Sequence, residues 1–258
     1  MGTTTKIEWT DHTFNPWCGC TKVSDGCKNC YAESKAPINP AVLGGWGKNG
    51  SRVVKTEKGW ADPFVWNRTA SAEGIRRRVF CSSMADVFEG RDMMPEASWL
   101  PVEAARERLW DVIARTPMLD WLLLTKRPQN IPTRVWPDNV GIGTSIENQQ
   151  TADERIPHLL AVPARVRFLS MEPLIGPVNL RPWLGDLNWV IVGGENTARA
   201  KARRMHPDWV RTIRDQCADA CVPFFFKQWG TIDATGRAVG KDNAGRMLDE
   251  RTWDEYPA

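Results

Sequence analysis

The sequence lacks the features that mark membrane and secreted proteins. No apolar run among its 258 residues approaches the length of a membrane span, because a spanning helix needs about 20 apolar residues. The opening stretch, "MGTTTKIEWTDHTFNPW", contains no apolar signal-peptide core. We therefore expect a cytoplasmic protein that has no membrane partner.

The cysteine, histidine and charge content narrows the class of protein further. The seven cysteines cannot all pair within one chain because seven is odd, and disulfides are uncommon in the reducing cytoplasm. The three histidines show no metal-ligand spacing among themselves. A net charge of +3 is too small to indicate a nucleic-acid partner by itself. Dense cysteine in such a chain favours metal or redox chemistry over a disulfide framework.

Six segments with continuously apolar centres predict buried strands. They are 77–84, 120–126, 140–146, 165–171, 188–194 and 222–228, and "IEWTDHTFNPW" predicts an earlier first strand. Continuous apolar runs are typical of parallel strands that are covered on both faces.

Helical patterns lie between some of these strands. Apolar residues recur at helical spacing in 101–114 and 206–220, each behind a proline suited to a first turn. Alternating strands and helices predict an α/β fold with right-handed crossovers. We expect a parallel, partial (β/α) barrel of about six strands. It would form one domain over residues 1–230, with an insertion at about 36–75 that shows no clear period, and a peripheral tail over 231–258.

Polar or small residues follow the carboxyl ends of five of the predicted strands. In chain order they are Ser82, Ser83 and Asp86; Thr125, Lys126 and Arg127; Thr144, Ser145 and Glu147; Ser170 and Glu172; and Gly193, Gly194 and Glu195. Any one of them reads more simply as a turn or cap residue. Ligands of parallel α/β folds bind at this edge, so the repeated pattern predicts an active-site mouth.

Four cysteines lie within thirteen positions of the segment "WCGCTKVSDGCKNCYAE". Their spacing is Cys18-x-Cys20-x6-Cys27-x2-Cys30. All four thiolates could form a tetrahedral zinc site, although one residue between the first two is tight for a zinc knuckle. Alternatively, Cys20, Cys27 and Cys30 could hold an iron–sulfur cluster and leave one iron without a protein ligand. The cysteine spacing by itself is compatible with either a zinc site or an iron–sulfur cluster.

The segment "GCTKVSDGCKNCYAE" resembles the radical S-adenosylmethionine signature, in which three cysteines after the first barrel strand hold a 4Fe–4S cluster. More closely, the chain resembles an uncharacterised phage-associated three-cysteine family. The matching blocks are "NPWCGCTKVSDGCKNCYAE", "SSMADVF", "LLTKRP", "GTSIEN", "RFLSMEPLIGPV", "WVIVGGE" and "PFFFKQWG". Their layout is also similar, less closely, to that of spore photoproduct lyase. Two departures are the six residues between Cys20 and Cys27, where three are usual, and Asn29 in place of an aromatic residue.

The resemblance implies a site residue by residue. Cys20, Cys27 and Cys30 would bind the cluster, and Cys18 would not. Ser82, Ser83 and Asp86 would contact the methionine amino group, and Lys126 the methionine carboxylate. Ser145 and Glu147 would contact the ribose hydroxyls. Glu172, Gly194 and Glu195 would line the adenine side or the substrate. The partners implied are S-adenosylmethionine and an electron donor, and the catalytic residues stay unassigned.

Two basic segments bear on the substrate. "ARAKARRMH" follows the apolar segment 188–194, and "GIRRRV" leads into the segment 77–84. Either one could be a solvated charged surface or an edge that binds nucleic acid or a phosphate-bearing substrate. The alternative to a radical enzyme is a non-catalytic, zinc-stabilised phage protein that binds nucleic acid or a protein partner.

Overall fold

The computed structural model describes residues 5–257 of the chain. Strands and helices alternate through most of this range. The strands are β1 (His12–Thr13), β2 (Trp17–Cys18), β3 (Val53–Val54), β4 (Arg77–Cys81), β5 (Leu119–Thr125), β6 (Val140–Ser145), β7 (Val166–Met171), β8 (Trp189–Gly193) and β9 (Phe224–Gln228). The helices are α1 (Tyr31–Lys35), α2 (Pro40–Leu43), α3 (Glu57–Trp60), α4 (Asp62–Glu73), α5 (Glu96–Ala114), α6 (Gln149–Leu160), α7 (Pro207–Asp219) and α8 (Lys241–Ala244).

Seven of the strands follow one another in the sheet order β1-β4-β5-β6-β7-β8-β9. The pairs β1–β4, β4–β5, β7–β8 and β8–β9 are parallel, whereas β2 and β3 form a separate antiparallel pair. The order has two ends, as a partial barrel requires. The expected parallel α/β class is confirmed, and the seven strands of the sheet correspond to the first predicted strand and the six apolar segments.

The apolar runs explain why these strands form where they do. Every residue of β6 and of β8 is buried, which is the burial that parallel strands covered on both faces show. The six predicted strands begin and end close to the observed bounds. The first predicted strand is shorter than its sequence pattern: only His12–Thr13 pairs with β4.

Two helices differ from the sequence expectation. Helix α5 begins at Glu96, so Pro101 lies inside it and not in its first turn. Before Val102, Ser98 is the buried position of this helix, so the apolar pattern starts late. Helix α4 lies within the segment 36–75, which showed no period. Its buried residues, Pro63 and Ala70, form no continuous apolar stripe, and this explains why the pattern did not predict it.

The chain divides into two compact units. The first comprises residues 5–23, 32–125 and 130–141, and its core includes Trp9, Phe14, Trp60 and Trp121. Phe14 packs edge-on against Trp121, with ring centroids 5.6 Å apart. Aromatic pairs in this geometry add about 0.5–1.5 kcal/mol to the energy of burial.

The second unit comprises residues 24–31, 126–129 and 142–257. Its core includes Phe168, Trp189, Phe225 and Phe226. Residues after 231 pack on β9, since the Phe226 amide donates to the Trp253 carbonyl at 2.9 Å. Over residues 5–257, no helix combines the length and the apolar character that crossing a membrane requires.

Candidate functional site

The first two cysteines of the segment belong to the first unit. Cys18 lies in β2 opposite Val53 of β3, and burial raises the pKa of its thiol, with Lys55 opposing the rise. Cys20 is half-buried, and its sulfur lies 3.6 Å from the Thr21 carbonyl oxygen. The thiolate is the form that binds metals, and burial of Cys18 disfavours that form in the metal-free chain.

The residue after Cys20 is held by a buried ion pair. The Thr21 amide donates to Glu89 Oε1 at 2.8 Å. Arg52 donates to both oxygens of Glu89, from Nε at 2.8 Å and from Nη2 at 2.9 Å. Both side chains are 0% exposed, and Arg52 also donates to the Gly50 carbonyl at 2.6 Å. The hydrogen bonds saturate this pair, as a buried charge requires.

Three predicted contacts of the methionine amino group follow β4 in the first unit. The Asp86 carboxylate accepts from Thr125 Oγ1 at 2.7 and 2.9 Å. Ser83 exchanges hydrogen bonds with the Asn15 side chain. The Ser82 hydroxyl is buried and has no hydrogen-bond partner within residues 5–257. Ser82 therefore retains hydrogen-bonding capacity at a strand end, whereas the other two are engaged.

The third cysteine is carried by a 3₁₀ turn, Asp25–Cys27, in the second unit. Just before this turn, Ser24 Oγ donates to Glu147 Oε1 at 2.9 Å. Gly26 is buried against the same side chain: a Cβ at this position would lie 2.4 Å from Glu147 Cγ. The turn that carries Cys27 thus packs directly on the carboxylate that follows β6.

Glu147 is itself held by two cations. Its Oε1 lies 2.9 Å from Lys126 Nζ and 3.1 Å from an Arg155 Nη atom, and its side chain is 1% exposed. Burial alone would raise the pKa of Glu147, but Lys126 and Arg155 outweigh burial and hold that pKa below its usual range. The other carboxylate oxygen, Oε2, is buried and has no partner in the described part of the chain.

Cys30 directly precedes α1, and its neighbour Asn29 is anchored at the end of β8. Asn29 Nδ2 donates to Glu195 Oε2 at 3.1 Å and to the Lys201 carbonyl at 2.9 Å. Arg203 pairs with both oxygens of Glu195. Burial raises the pKa of Glu195, but the hydrogen bonds from Arg203 and Asn29 outweigh it and hold that pKa below its usual range.

Glu172, at the end of β7, pairs with a cation from β9. Lys227 Nζ lies 2.6 Å from Glu172 Oε2, and Lys126 Nζ lies 3.5 Å from the Glu172 carbonyl oxygen. Gly193 of the intervening β8 makes room for this pair, since a Cβ there would lie 3.0 Å from the Glu172 carboxyl group. Carboxylates and lysines therefore gather at the carboxyl ends of β6 and β7.

Two further predicted residues contribute their backbone. The Ser145 carbonyl accepts from Arg155 Nη1 at 2.7 Å. The Gly194 amide donates to the Gln228 carbonyl at 3.0 Å, and a Cβ on Gly194 would lie 1.8 Å from the Trp229 carbonyl oxygen. Gly194 is thus a glycine because two backbone segments meet there.

The described cysteines offer soft donors without a preassembled metal site. Within residues 5–257, no group of three or more His, Cys, Asp or Glu side chains is arranged to hold a metal ion. All seven cysteines lie in this range, and none forms a disulfide. Cys20, Cys27 and Cys30 are each partly exposed. Their thiolates fit an iron–sulfur cluster or zinc by donor chemistry.

Sequence reasoning missed the cations that hold the site carboxylates. These are Arg52, Arg155 and Lys227, together with the buried carboxylate Glu89; for Arg203, which lies in the basic segment "ARAKARRMH", the pairing with Glu195 was missed. Lys227 could have been found, because it lies near the end of the last apolar strand and follows the same rule as the other strand ends. Arg52 and Glu89 are 37 residues apart, and Arg155 and Arg203 each follow their glutamate by eight residues, so no local pattern marks these pairs.

The arginines of "GIRRRV" are engaged in ion pairs. Each one contacts a carboxylate of the first unit, in the pairs Arg76–Asp120, Arg77–Glu73 and Arg78–Asp11. These contacts agree with a solvated charged surface. In "ARAKARRMH", Arg199 and Arg204 are exposed and donate to backbone carbonyls. Arg203 forms an ion pair with Glu195.

Comparison with known proteins gives one family and a set of structural neighbours. The family model described as "Protein of unknown function (DUF5131)" matches residues 4–257. No curated protein matches the sequence. One similar solved structure is a mutant spore photoproduct lyase with bound AdoMet and dinucleoside spore photoproduct, at 11% identity and a TM-score of 0.46, covering 83% of this chain and 62% of that chain.

A second similar structure is spore photoproduct lyase complexed with dinucleoside spore photoproduct. It is 12% identical with a TM-score of 0.44, and the match covers 78% of this chain and 59% of that chain. The chain therefore spans less than two thirds of the length of these neighbours.

Proposed function

The chain belongs to the family described as "Protein of unknown function (DUF5131)", and we propose that it is an iron–sulfur enzyme of the radical S-adenosylmethionine type. In this proposal Cys20, Cys27 and Cys30 bind a 4Fe–4S cluster. The motif resemblance is the origin of the proposal. The cytoplasmic location and the phage association stay predictions.

The observation that carries the proposal is the anchoring of the cysteine segment. Ser24 and Gly26 rest on Glu147 after β6, and Asn29 rests on Glu195 after β8. Both carboxylates follow the carboxyl ends of parallel strands, the edge at which ligands bind in parallel α/β folds. A purely structural cysteine loop would not need to lie at that edge.

The donor set also fits the cluster. Thiolates are the usual protein ligands of iron–sulfur clusters, and three of them leave one iron for a cofactor. When bound, such a cluster supplies the single electron that cleaves S-adenosylmethionine to a 5′-deoxyadenosyl radical. In this proposal Cys18 stays outside the ligand set, as the motif resemblance implies.

The chain's own groups supply the contacts that S-adenosylmethionine requires. We assign the ribose hydroxyls to Glu147, whose Oε2 is a buried acceptor with no partner within residues 5–257, and to the neighbouring Ser145. Ser82, Ser83 and Asp86 serve the methionine amino group. A buried acceptor without a donor costs about 1–3 kcal/mol, so a ligand hydroxyl at Oε2 would recover that energy.

The remaining charges face the carboxylate and the substrate. Lys126 is 21% exposed and reaches both Glu147 and the Glu172 carbonyl, so it can bind the methionine carboxylate. Glu172, Gly194 and Glu195 complete the adenine or substrate side. The exposed Arg199 and Arg204 favour a nucleotide or another phosphate-bearing substrate. An electron donor is the further partner.

Metal analysis of anaerobically purified protein tests the proposal. A brown protein with about four irons and matching sulfide, as one 4Fe–4S cluster requires, supports it. S-adenosylmethionine should then bind to this form and be cleaved on reduction. A colourless protein that holds one zinc and does not bind S-adenosylmethionine would instead support the zinc-stabilised binding protein.

A further inference from the structure

The turn that carries Cys27 depends on one buried carboxylate. Ser24 Oγ lies 2.9 Å from Glu147 Oε1 and 3.9 Å from the Cys27 sulfur. An ionised carboxylate can only accept, so the hydroxyl hydrogen points to Glu147. One hydroxyl thus links the Cys27 side chain to Glu147.

A second contact reaches the same carboxylate through Gly26. A Cβ on Gly26 would lie 2.4 Å from both Cγ and Oε1 of Glu147 and 2.5 Å from Cδ. Cβ atoms essentially never approach other atoms so closely, so either the turn or Glu147 would have to move. Glycine therefore lets the turn lie directly on the carboxylate.

The contacts of Glu147 restrain its side chain and backbone from moving away from Gly26. Lys126 and Arg155 both contact its Oε1, and its side chain is 1% exposed. Its amide also donates to Thr151 Oγ1 at 2.9 Å, and its carbonyl accepts from the Ile175 amide at 2.8 Å. The carboxylate is thus a rigid support, because charge pairing and backbone hydrogen bonds both restrain it.

We propose that Glu147 is a positioning residue for Cys27, which it orients through the Ser24 hydroxyl and through direct packing on Gly26. The role of Cys27 as a ligand rests on the proposed function, whereas the anchor itself is a property of the metal-free chain. Anchoring uses Oε1, so Oε2 remains available for a ligand hydroxyl. In other metalloproteins, residues that contact the metal ligands but not the metal orient those ligands in this way.

Gly26→Ala tests the packing, and Gly185→Ala is its matched control in the same unit. A Cβ on Gly185 would meet nothing within 4 Å. In metal-free protein, we expect Gly26→Ala to raise amide hydrogen exchange over residues 24–31 by about tenfold, the factor that corresponds to about 1.4 kcal/mol of local stability. It should also lower the iron bound on reconstitution. Gly185→Ala should change neither.

A double variant separates direct packing from general damage to the fold. Glu147→Ala removes Cγ, Cδ and Oε1, the atoms that the new methyl group would meet. Adding Gly26→Ala to Glu147→Ala should therefore raise exchange over 24–31 far less than it does in the wild-type background. Ser24→Ala, which only removes the hydroxyl, should also raise this exchange while the melting temperature stays close to wild type.

Two results would overturn the positioning role. One is unchanged exchange over 24–31 in Gly26→Ala, and the other is an equal increase with and without Glu147. A different result concerns the proposed function: wild-type protein that binds no iron while the exchange pattern holds. In that case the anchor stands and the cluster assignment fails.

Discussion

Glu89 in the first unit and Glu147 in the second are both buried carboxylates that hold the cysteine segment, but they differ in how fully they are paired. Both oxygens of Glu89 accept hydrogen bonds, from Arg52 and from the Thr21 amide. Glu147 concentrates its donors on Oε1, and Oε2 has none within the described residues. The first carboxylate is saturated and the second is open.

In the proposed function, this difference separates the structural role of Glu89 from the binding role of Glu147. A buried acceptor without a donor costs free energy, and such groups are uncommon in native proteins unless a ligand, a water or a function accounts for them. The saturated pair serves stability. The open carboxylate holds the turn, and in the proposed function its Oε2 accepts a ligand hydroxyl.

Breaking the saturated pair should have the largest effect on stability. Arg52→Met leaves Glu89 buried and uncompensated, and removal of one partner of a buried ion pair costs about 3–5 kcal/mol. Urea unfolding followed by tryptophan fluorescence measures the loss. Arg76→Met is the control, since its pair with Asp120 is exposed and should contribute about 0–1 kcal/mol. Equal losses in the two variants would contradict the structural role of Arg52.

Breaking the ion pair between Lys126 and Glu147 should lower the free energy of unfolding by less. In Lys126→Met, Glu147 keeps Arg155 and Ser24 as donors. Because Lys126 is partly exposed, we expect a loss of about 1–2 kcal/mol in the free energy of unfolding. The same variant should weaken S-adenosylmethionine binding more than it weakens the fold. Intact binding would remove Lys126 from the proposed site, and a loss as large as that of Arg52→Met would erase the contrast.

Lowering the pH should reduce the stability that the paired carboxylates of the second unit contribute. The pKa of Glu195 is lower in the folded chain than its ordinary value of 4.5. Its contribution to stability is therefore complete above that value and is lost as the pH falls from there through the folded pKa. Glu147 contributes in the same sense.

Glu195→Gln should flatten this acid dependence slightly, the smallest of these effects. Melting temperatures measured from neutral pH to below 4.5 check it. The wild type should lose more stability on acidification than the variant does. Parallel curves would show that Glu195 does not contribute.

The fold was predictable where one local signal was strong enough. The apolar centres of β6 and β8 lie in continuously buried strands, so hydrophobicity alone located them. Helix α4 was not predictable, because its buried residues form no stripe. The start of α5 was missed because Ser98, its first buried residue, is polar.

The positions of the candidate site residues at strand ends were predictable, but their pairing was not. The rule that ligands meet strand ends pointed to Glu147 and Glu195, and both lie beside the cysteine segment in the second unit. It could not supply Arg155 or Arg203, because a strand end carries no information about which cation will reach it. The close approach of Gly26 to Glu147 likewise depends on tertiary packing.

The most direct test of the central claim is the iron content of four alanine variants, at Cys18, Cys20, Cys27 and Cys30, purified anaerobically beside the wild type. The account predicts about four irons per chain in the wild type and in Cys18→Ala, as one 4Fe–4S cluster requires, and loss of the cluster in the other three. One zinc per chain that is lost in all four variants would contradict it.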